Sequence, residues 1–405
     1  MNKRMDRNRL NIGVYHLKEY ARTEAHIRDL ADCGIDFVVC MTDDRPALDL
    51  FAEYGVGAIL EGVLPGWWGG FTDKIGKMAE LCPIELYEKA AADFADHPAV
   101  WGIDTGDEPS GLEFPHLGRI FEVVNRLFPN QFANLNLHPV YAMTPGFNYL
   151  QTENYEAYIA EYCKHIDADY ICYDFYVYQG GMTAAKMYDN LRIVADACRD
   201  TGKSMWITIQ VNSTDPERPM TENQLRFQAY SAMAFGAENI IWACYTAGWW
   251  YQNVLDENGE KTEQYDKLKK INSEIRTMAE AYMRFRRVDT HFIGYMPEHP
   301  DMALQPRKPV DALSIGAFRD VHGENGEQLI AGQMVSRAGD GTAALMLCGA
   351  DDIYDASPKS YRILFHTDRR VKAIGPAGEI PVQRMEDGSY SIPFCSNTGV
   401  LLIAG

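Results

Sequence analysis

Over its first ~285 positions the chain alternates two textures: short apolar, β-branched and aromatic runs, and amphipathic segments of helical period. Runs at 10–16, 36–41, 56–60, 100–104, 131–137, 168–174, 203–210 and 238–244 predict strands. Segments at 23–33, 46–54, 84–94, 114–128, 154–164, 184–199 and 221–235 predict helices, and a last charged helix is expected from 263 to 287. Thr152 ahead of Tyr155 and Glu156, and the pair Thr221-Glu222, are helix-start signals; Gly34, Gly55, Gly202 and Gly236 close helices just before a strand. Eight β-then-α units in a row predict an α/β chain folded as a (β/α)8 TIM barrel. A doubly wound open sheet is the alternative. It needs a Gly-rich phosphate loop after the first strand, where Tyr15-His16-Leu17 stands instead.

Beyond residue 288 helical period disappears. Pro297, Pro300, Pro306 and Pro309 lead into short β-like runs at 329–334, 342–348, 360–365, 371–374, 389–393 and 400–403. This predicts two domains: a catalytic barrel over 1–287 and a small antiparallel, β-sandwich-like domain over 288–405. The second domain is expected to brace the barrel or to form a dimer interface, so a homo-oligomer fits the pattern.

Composition narrows the partners. The 405 residues are 46% hydrophobic and 23% charged, and 38 basic against 57 acidic residues leave a net charge of −19. A chain this acidic is not expected to bind nucleic acid or an anionic membrane, since both need clustered Lys and Arg. The N-terminal MNKRMDRN stretch lacks a signal peptide's apolar core, and no run approaches the ~18 apolar residues of a membrane span. The nine Cys are odd in number, include no CxxC pair and sit mostly in apolar segments. Free thiols in a reducing cytoplasm are the expectation, with no disulfide framework and no zinc site.

Active sites of such barrels lie at the C-terminal ends of the strands. The residues there are Thr42-Asp43-Asp44 after strand two, Glu61 after strand three with Trp67-Trp68 in the Gly-rich loop behind it, and Asp104, Asp107 and Glu108 on strand four. Strand five ends in Asn136 and His138, strand six in Asp174 and Tyr176, and strand seven in Gln210; strand eight runs through Trp242 and Tyr245 to Trp249-Trp250. There is no HxH, HExxH or GxSxG. Carboxylates beside aromatic platforms suit glycoside hydrolysis, in which one carboxylic acid protonates the leaving oxygen and a second carboxylate serves the other face of the sugar. Strand alternation places Asp104, Gly106 and Glu108 on one parity, toward the barrel interior.

The run Trp101-Gly-Ile-Asp-Thr-Gly-Asp-Glu-Pro resembles the strand-four acid/base motif of clan A glycoside hydrolases, where an Asn-Glu-Pro triplet is frequent; here Asp107 replaces the Asn. The resemblance covers about 245–285 residues. It implies that Glu108 is the general acid. It also implies a Glu nucleophile at the end of strand seven, but this chain carries Gln210 there, and Gln can be neither nucleophile nor ionised base. Asp174, strand-terminal and two strands from Glu108, is the expected replacement, with Glu61 and Asp43 next.

The function expected is therefore a cytoplasmic glycosidase acting on a neutral oligosaccharide or glycoside, without cofactor or metal. Glu108 and Asp174 would be catalytic. Asp104, Asp107, Glu61, Trp67, Trp68, Asn136, His138, Tyr176, Gln210, Trp242, Tyr245, Trp249 and Trp250 would bind substrate. Each has an ordinary structural use as well: Glu108 at the N-terminus of the next helix, Asp174 in an Asx turn, Asn136 and Gln210 as bridges between strands. Trp101, Trp206 and Trp242 sit within strands, where core packing is ordinary. Two other functions fit the pattern: a silent carbohydrate-binding barrel, and a metal-dependent sugar lyase or isomerase using Asp43, Asp44, Glu61, Asp104 and Asp174.

Overall fold

All eight runs form strands of one parallel sheet: β1 (Asn11–Tyr15), β2 (Phe37–Met41), β3 (Gly57–Leu60), β4 (Val100–Asp107), β5 (Phe132–Asn136), β6 (Tyr170–Asp174), β7 (Ser204–Gln210) and β8 (Ala237–Ala243). The structure, a computed structural model, describes residues 4–90, 93–144, 146–180, 182–294, 309–350, 353–354 and 357–405. Pro297, Pro300 and Pro306 lie outside the described residues. Strand order is β5-β4-β3-β2-β1-β8-β7-β6. The ring closes between β5 and β6 through a single bridge, Leu137 to Tyr173. There the Tyr170 hydroxyl substitutes for backbone pairing: it donates to the Ala133 carbonyl (2.6 Å) and accepts from the Leu135 N–H (3.1 Å).

The connecting helices are α1 (Glu24–Asp32), α2 (Arg45–Tyr54), α3 (Ile84–Glu88), α4 (Phe114–Leu127), α5 (Tyr155–His165), α6 (Ala184–Thr201), α7 (Glu222–Ala234) and α8 (Glu263–Tyr282). Thr221 caps α7 in a reciprocal capping box with Gln224. α5 is capped by Asn154 rather than Thr152. Two expected helices differ. The 84–94 segment holds only the short α3 before a 3-10 turn at Asp93–Asp96, and the last helix stops at Tyr282, where the β-branched and aromatic run that follows is drawn into a sheet.

The barrel interior is filled, not open. Phe37 packs where a Cβ on Gly13 would stand, Trp101 over Gly57 and Phe132 over Gly102, so a ring from one strand occupies the space its neighbour leaves empty. The polar N-terminal segment closes the bottom. Met5 is buried among interior side chains, and the Arg7 guanidinium lies 4.4 Å from the Trp206 ring and 5.0 Å from that of Phe132.

The C-terminal strands form two antiparallel sheets. They are β9 (Phe285–Ile293), β10 (Leu313–Ile315), β11 (Phe318–Gly323), β12 (Leu329–Ser336), β13 (Ala343–Gly349), β14 (Ser360–His366), β15 (Val371–Gly375), β16 (Gly378–Ile380), β17 (Gln383–Arg384), β18 (Tyr390–Cys395) and β19 (Gly399–Ala404). One sheet runs β9-β12-β13-β19-β15-β16, the other β10-β11-β14-β18-β17, with Leu329, Leu345, Ile363 and Phe394 among the side chains of their shared core. The fold is a TIM barrel followed by a β domain. The six-stranded sheet seats on α7, whose residues are buried on nearly every side: Gly332 approaches the Ala234 carbonyl, and Gly399 leaves room for the Tyr230 ring. Among the described residues no helix is long and apolar enough to cross a membrane.

Candidate active site

The C-terminal ends of the strands open into a cleft of about 590 Å3, lined by Tyr15, Glu61, Trp67, Trp68, Asp104, Asp107 and Trp249 among others. That is a size suited to a small ligand. Backbone strain gathers here. His16 (φ 61°), Cys40 (φ 59°) and Glu108 (φ 50°) are non-glycine residues in the left-handed region, and each lies within two residues of the end of a barrel strand at the mouth. Strain of this kind costs of order 1–3 kcal/mol per residue and persists where surrounding structure imposes it.

β4 carries most of the site. Its pairing to β5 shifts register between Asp104 and Gly106, so simple alternation fails there. The shift brings Asp107 as well as Asp104 to the cleft, a correction to the expected parity. Beyond it the 67–69 segment pairs with the strand end: the Asp107 N–H donates to the Trp67 carbonyl (2.7 Å), and the Gly69 N–H donates to that of Asp107 (2.9 Å). Gly69 is needed because a Cβ there would collide with the Glu108 carbonyl. Glu108 then leaves the sheet, its N–H bonded to the Asn136 carbonyl (2.8 Å).

Two carboxyl groups share one amide, with a third close by. Asn136 Nδ2 donates to Asp107 Oδ1 (3.0 Å) and to Asp174 Oδ1 (2.9 Å), and the Tyr141 hydroxyl donates to Asp174 Oδ2 (3.4 Å). Glu108 Oε1 lies 3.5 Å from His138 Nδ1, and 24% of its side chain is exposed. Burial, then the neighbouring charge of Glu108, pushes both Asp107 and Asp174 well above the ordinary carboxylate range. Deeper in, burial pushes Asp104 up to about 7, against an opposing hydrogen bond from Asn134 (3.0 Å) and with a further push from Glu61. His16 shifts the other way, down to about 4, through burial and then Lys18.

The aromatic pairs divide. Trp67 is buried in the core, whereas Trp68 is 47% exposed and packs edge-on against Phe71. Trp249, 46% exposed, stands 5.6 Å from His16 and 6.0 Å from Tyr15, and Trp250 meets Tyr176 edge-on at 4.6 Å. Gln210 lies on the same parity of β7 as the interior Trp206; its Oε1 accepts from the Tyr178 N–H (2.7 Å). Two expected contacts are corrected. Trp242 faces the helix layer, with Nε1 donating to Asn272 of α8 (3.0 Å). Tyr245 is fully buried beside Cys33 and Tyr265. Trp242 sits on the outward parity of β8, and Tyr245 lies two residues beyond the strand's end, where alternation no longer decides which way a side chain faces.

Tyr141, Asn134, Tyr15, His16 and Cys40 belong to this site and were not singled out in the sequence. Tyr141 lies in the loop after β5, beyond any strand pattern; Tyr15 and His16 end β1, and the strand-end rule would have found them. Asp43 and Asp44 are engaged elsewhere: Asp43 pairs with Arg45 (2.9 Å), and Asp44 caps α2 and pairs with Arg22 (3.1 Å). Among the described residues no group of three His, Cys, Asp or Glu side chains is placed to hold a metal ion.

No protein-family model matches the chain, and no curated protein matches it. It is similar to solved structures. Pseudomonas stutzeri endoglucanase Cel5A in complex with cellobiose is 15% identical, with 65% of this chain and 92% of that one covered and a TM-score of 0.45. The glucosidase from Croceicoccus marinus is 8% identical over 98% and 96% of the two chains, TM-score 0.44. The β-galactosidase from Rahnella sp. R3 is 11% identical over 69% and 58%, TM-score 0.48. At such identities the reading of function rests on the side chains at the barrel mouth.

Proposed function

We propose that the chain is a glycoside hydrolase acting on small neutral oligosaccharides or glycosides by a two-carboxylate mechanism. The observation that carries this reading is the pair Asp107 and Asp174 on the Asn136 amide, with the Glu108 carboxyl close by at His138, at the C-terminal mouth of a barrel. Glu108, with part of its side chain open to solvent, donates its proton to the leaving oxygen. Asp174, whose two oxygens are fixed by Asn136 and Tyr141, serves the anomeric carbon as nucleophile or base. Burial, then the charges of Glu108 and Asp107, lift Asp174, so turnover that needs Asp174 ionised has its acid limb above the ordinary carboxylate range.

Trp68, Phe71 and Trp249 rim the cleft with exposed rings suited to a sugar's apolar face, and Lys74 is the one cation lining it among the described residues. Several carboxylates facing that space disfavour anionic sugars. The test is a panel of aryl and unactivated glycosides. Glu108→Gln is expected to lower kcat by about 100-fold or more for poor leaving groups, with much less effect on activated aryl glycosides and little on KM. Near-normal hydrolysis of poor leaving groups by that variant removes Glu108 from the mechanism. Sugar binding without turnover across the panel fits a carbohydrate-binding barrel instead.

A further inference from the structure

The barrel's other end holds a second polar cleft, of about 240 Å3, between the starts of β6, β7 and β8 and the edge of the six-stranded sheet. Arg7, Arg199, Lys203, Arg286, Arg287 and Arg337 line it, against Asp169 and Glu238. In a chain of net charge −19 this is a local reversal of sign. Asp196, Asp200 and Asp289 pair with some of these cations from behind, which still leaves six positive side chains against five negative.

The hydrogen bonds are less complete than the charges. The Arg287 side chain is 4% exposed; its Nη1 bonds Asp196 (2.9 Å) and its Nε bonds Thr290 (2.8 Å), but its Nη2 has no hydrogen-bond partner among the described residues and lies 3.7 Å from Asp289. Arg7 is held over aromatic rings with Asp169 3.3 Å from Nη1, yet none of its guanidinium nitrogens makes a hydrogen bond among the described residues. The Lys203 ammonium bonds the carbonyls of Ala168 and Ile166. Buried guanidinium donors without acceptors are costly, and an oxyanion is the ligand that offers several acceptors and negative charge together. Desolvation lowers the pKa of both arginines, the direction expected of cations that are not fully compensated.

We propose that this cleft binds a small tetrahedral oxyanion of the phosphate class, tying the N-terminal segment, the barrel bottom and the C-terminal sheet together. Because it lies across the barrel from the mouth, occupancy reads out as stability. The experiment is thermal unfolding and titration calorimetry of the full chain in inorganic phosphate, with chloride at equal ionic strength as control and glycerol phosphate as a second probe. Expected are a saturable rise in Tm over chloride and at least a tenfold loss of phosphate affinity in Arg286→Ala, an exposed position, and in Arg287→Met. Equal binding of glycerol phosphate extends the site to phosphomonoesters, while binding of inorganic phosphate alone confines it to the free ion; both support the proposal. No saturable rise over chloride, or a rise unchanged in Arg286→Ala, means an adventitious ion only and overturns it.

Discussion

Asp104 lines the cleft with its carboxyl pushed up by burial, the Asn134 amide donating a hydrogen bond to it and Glu61 adding like charge. Its folded pKa of about 7 exceeds an unfolded value near 3.9, so the unfolded chain releases this proton first. The contribution to stability is therefore complete below pH ~4 and is lost as pH rises through about 7, at a cost on the order of 4 kcal/mol. Asp104→Asn is expected to raise Tm at pH 8 and to leave it nearly unchanged at pH 4. A variant equally stabilised at both values would trace the effect to packing instead. Whether that gain lowers turnover is read in the same samples, since buried carboxylates of this kind are kept where function needs them. The identities of Glu108 and Asp174 were legible in the sequence through strand position. The junction at Asn136 was not, because a shared amide donor depends on how three strand ends converge.

At the scale of elements, the seam between β5 and β6 is the barrel's weakest joint in backbone pairing, and a side chain mends it. Tyr170→Phe keeps the ring stacked on Trp206 but leaves the Ala133 carbonyl and the Leu135 N–H unpaired. The expected cost is about 2–4 kcal/mol in urea unfolding, from two buried groups at roughly 1–2 each. A loss below about 0.5 kcal/mol would mean that the strands close the gap themselves. Because Asn136 lies one residue beyond Leu135, the same variant should also lower kcat. The eight strands were visible as apolar runs. The register shift at Asp104–Gly106 was not, since a one-residue irregularity leaves composition unchanged while moving Asp107 to the cleft.

For the whole molecule, α7 is the common wall of the barrel and the six-stranded sheet. Small residues make the contact close, as Gly332 does against the Ala234 carbonyl. Gly332→Ala must push sheet from helix or strain both, at about 1–3 kcal/mol. We expect calorimetry to show one transition moved downward, because barrel and sheet share the surface that the change disturbs. A split into two transitions, with only one shifted, would show that the two units unfold independently.

The sequence by itself determined the alternating order of strands and helices, the change to β structure near residue 288 and the acidic strand ends, because these follow from local periodicity and residue type. Tertiary structure decided the rest. It turned the last turn of the expected final helix into β9, sent Trp242 and Tyr245 to the helix layer, used the polar N-terminus as the barrel's floor and brought Tyr141 to Asp174. Each of those outcomes depends on which distant segment packs against a residue, and that is information no local pattern of hydrophobic and polar positions contains.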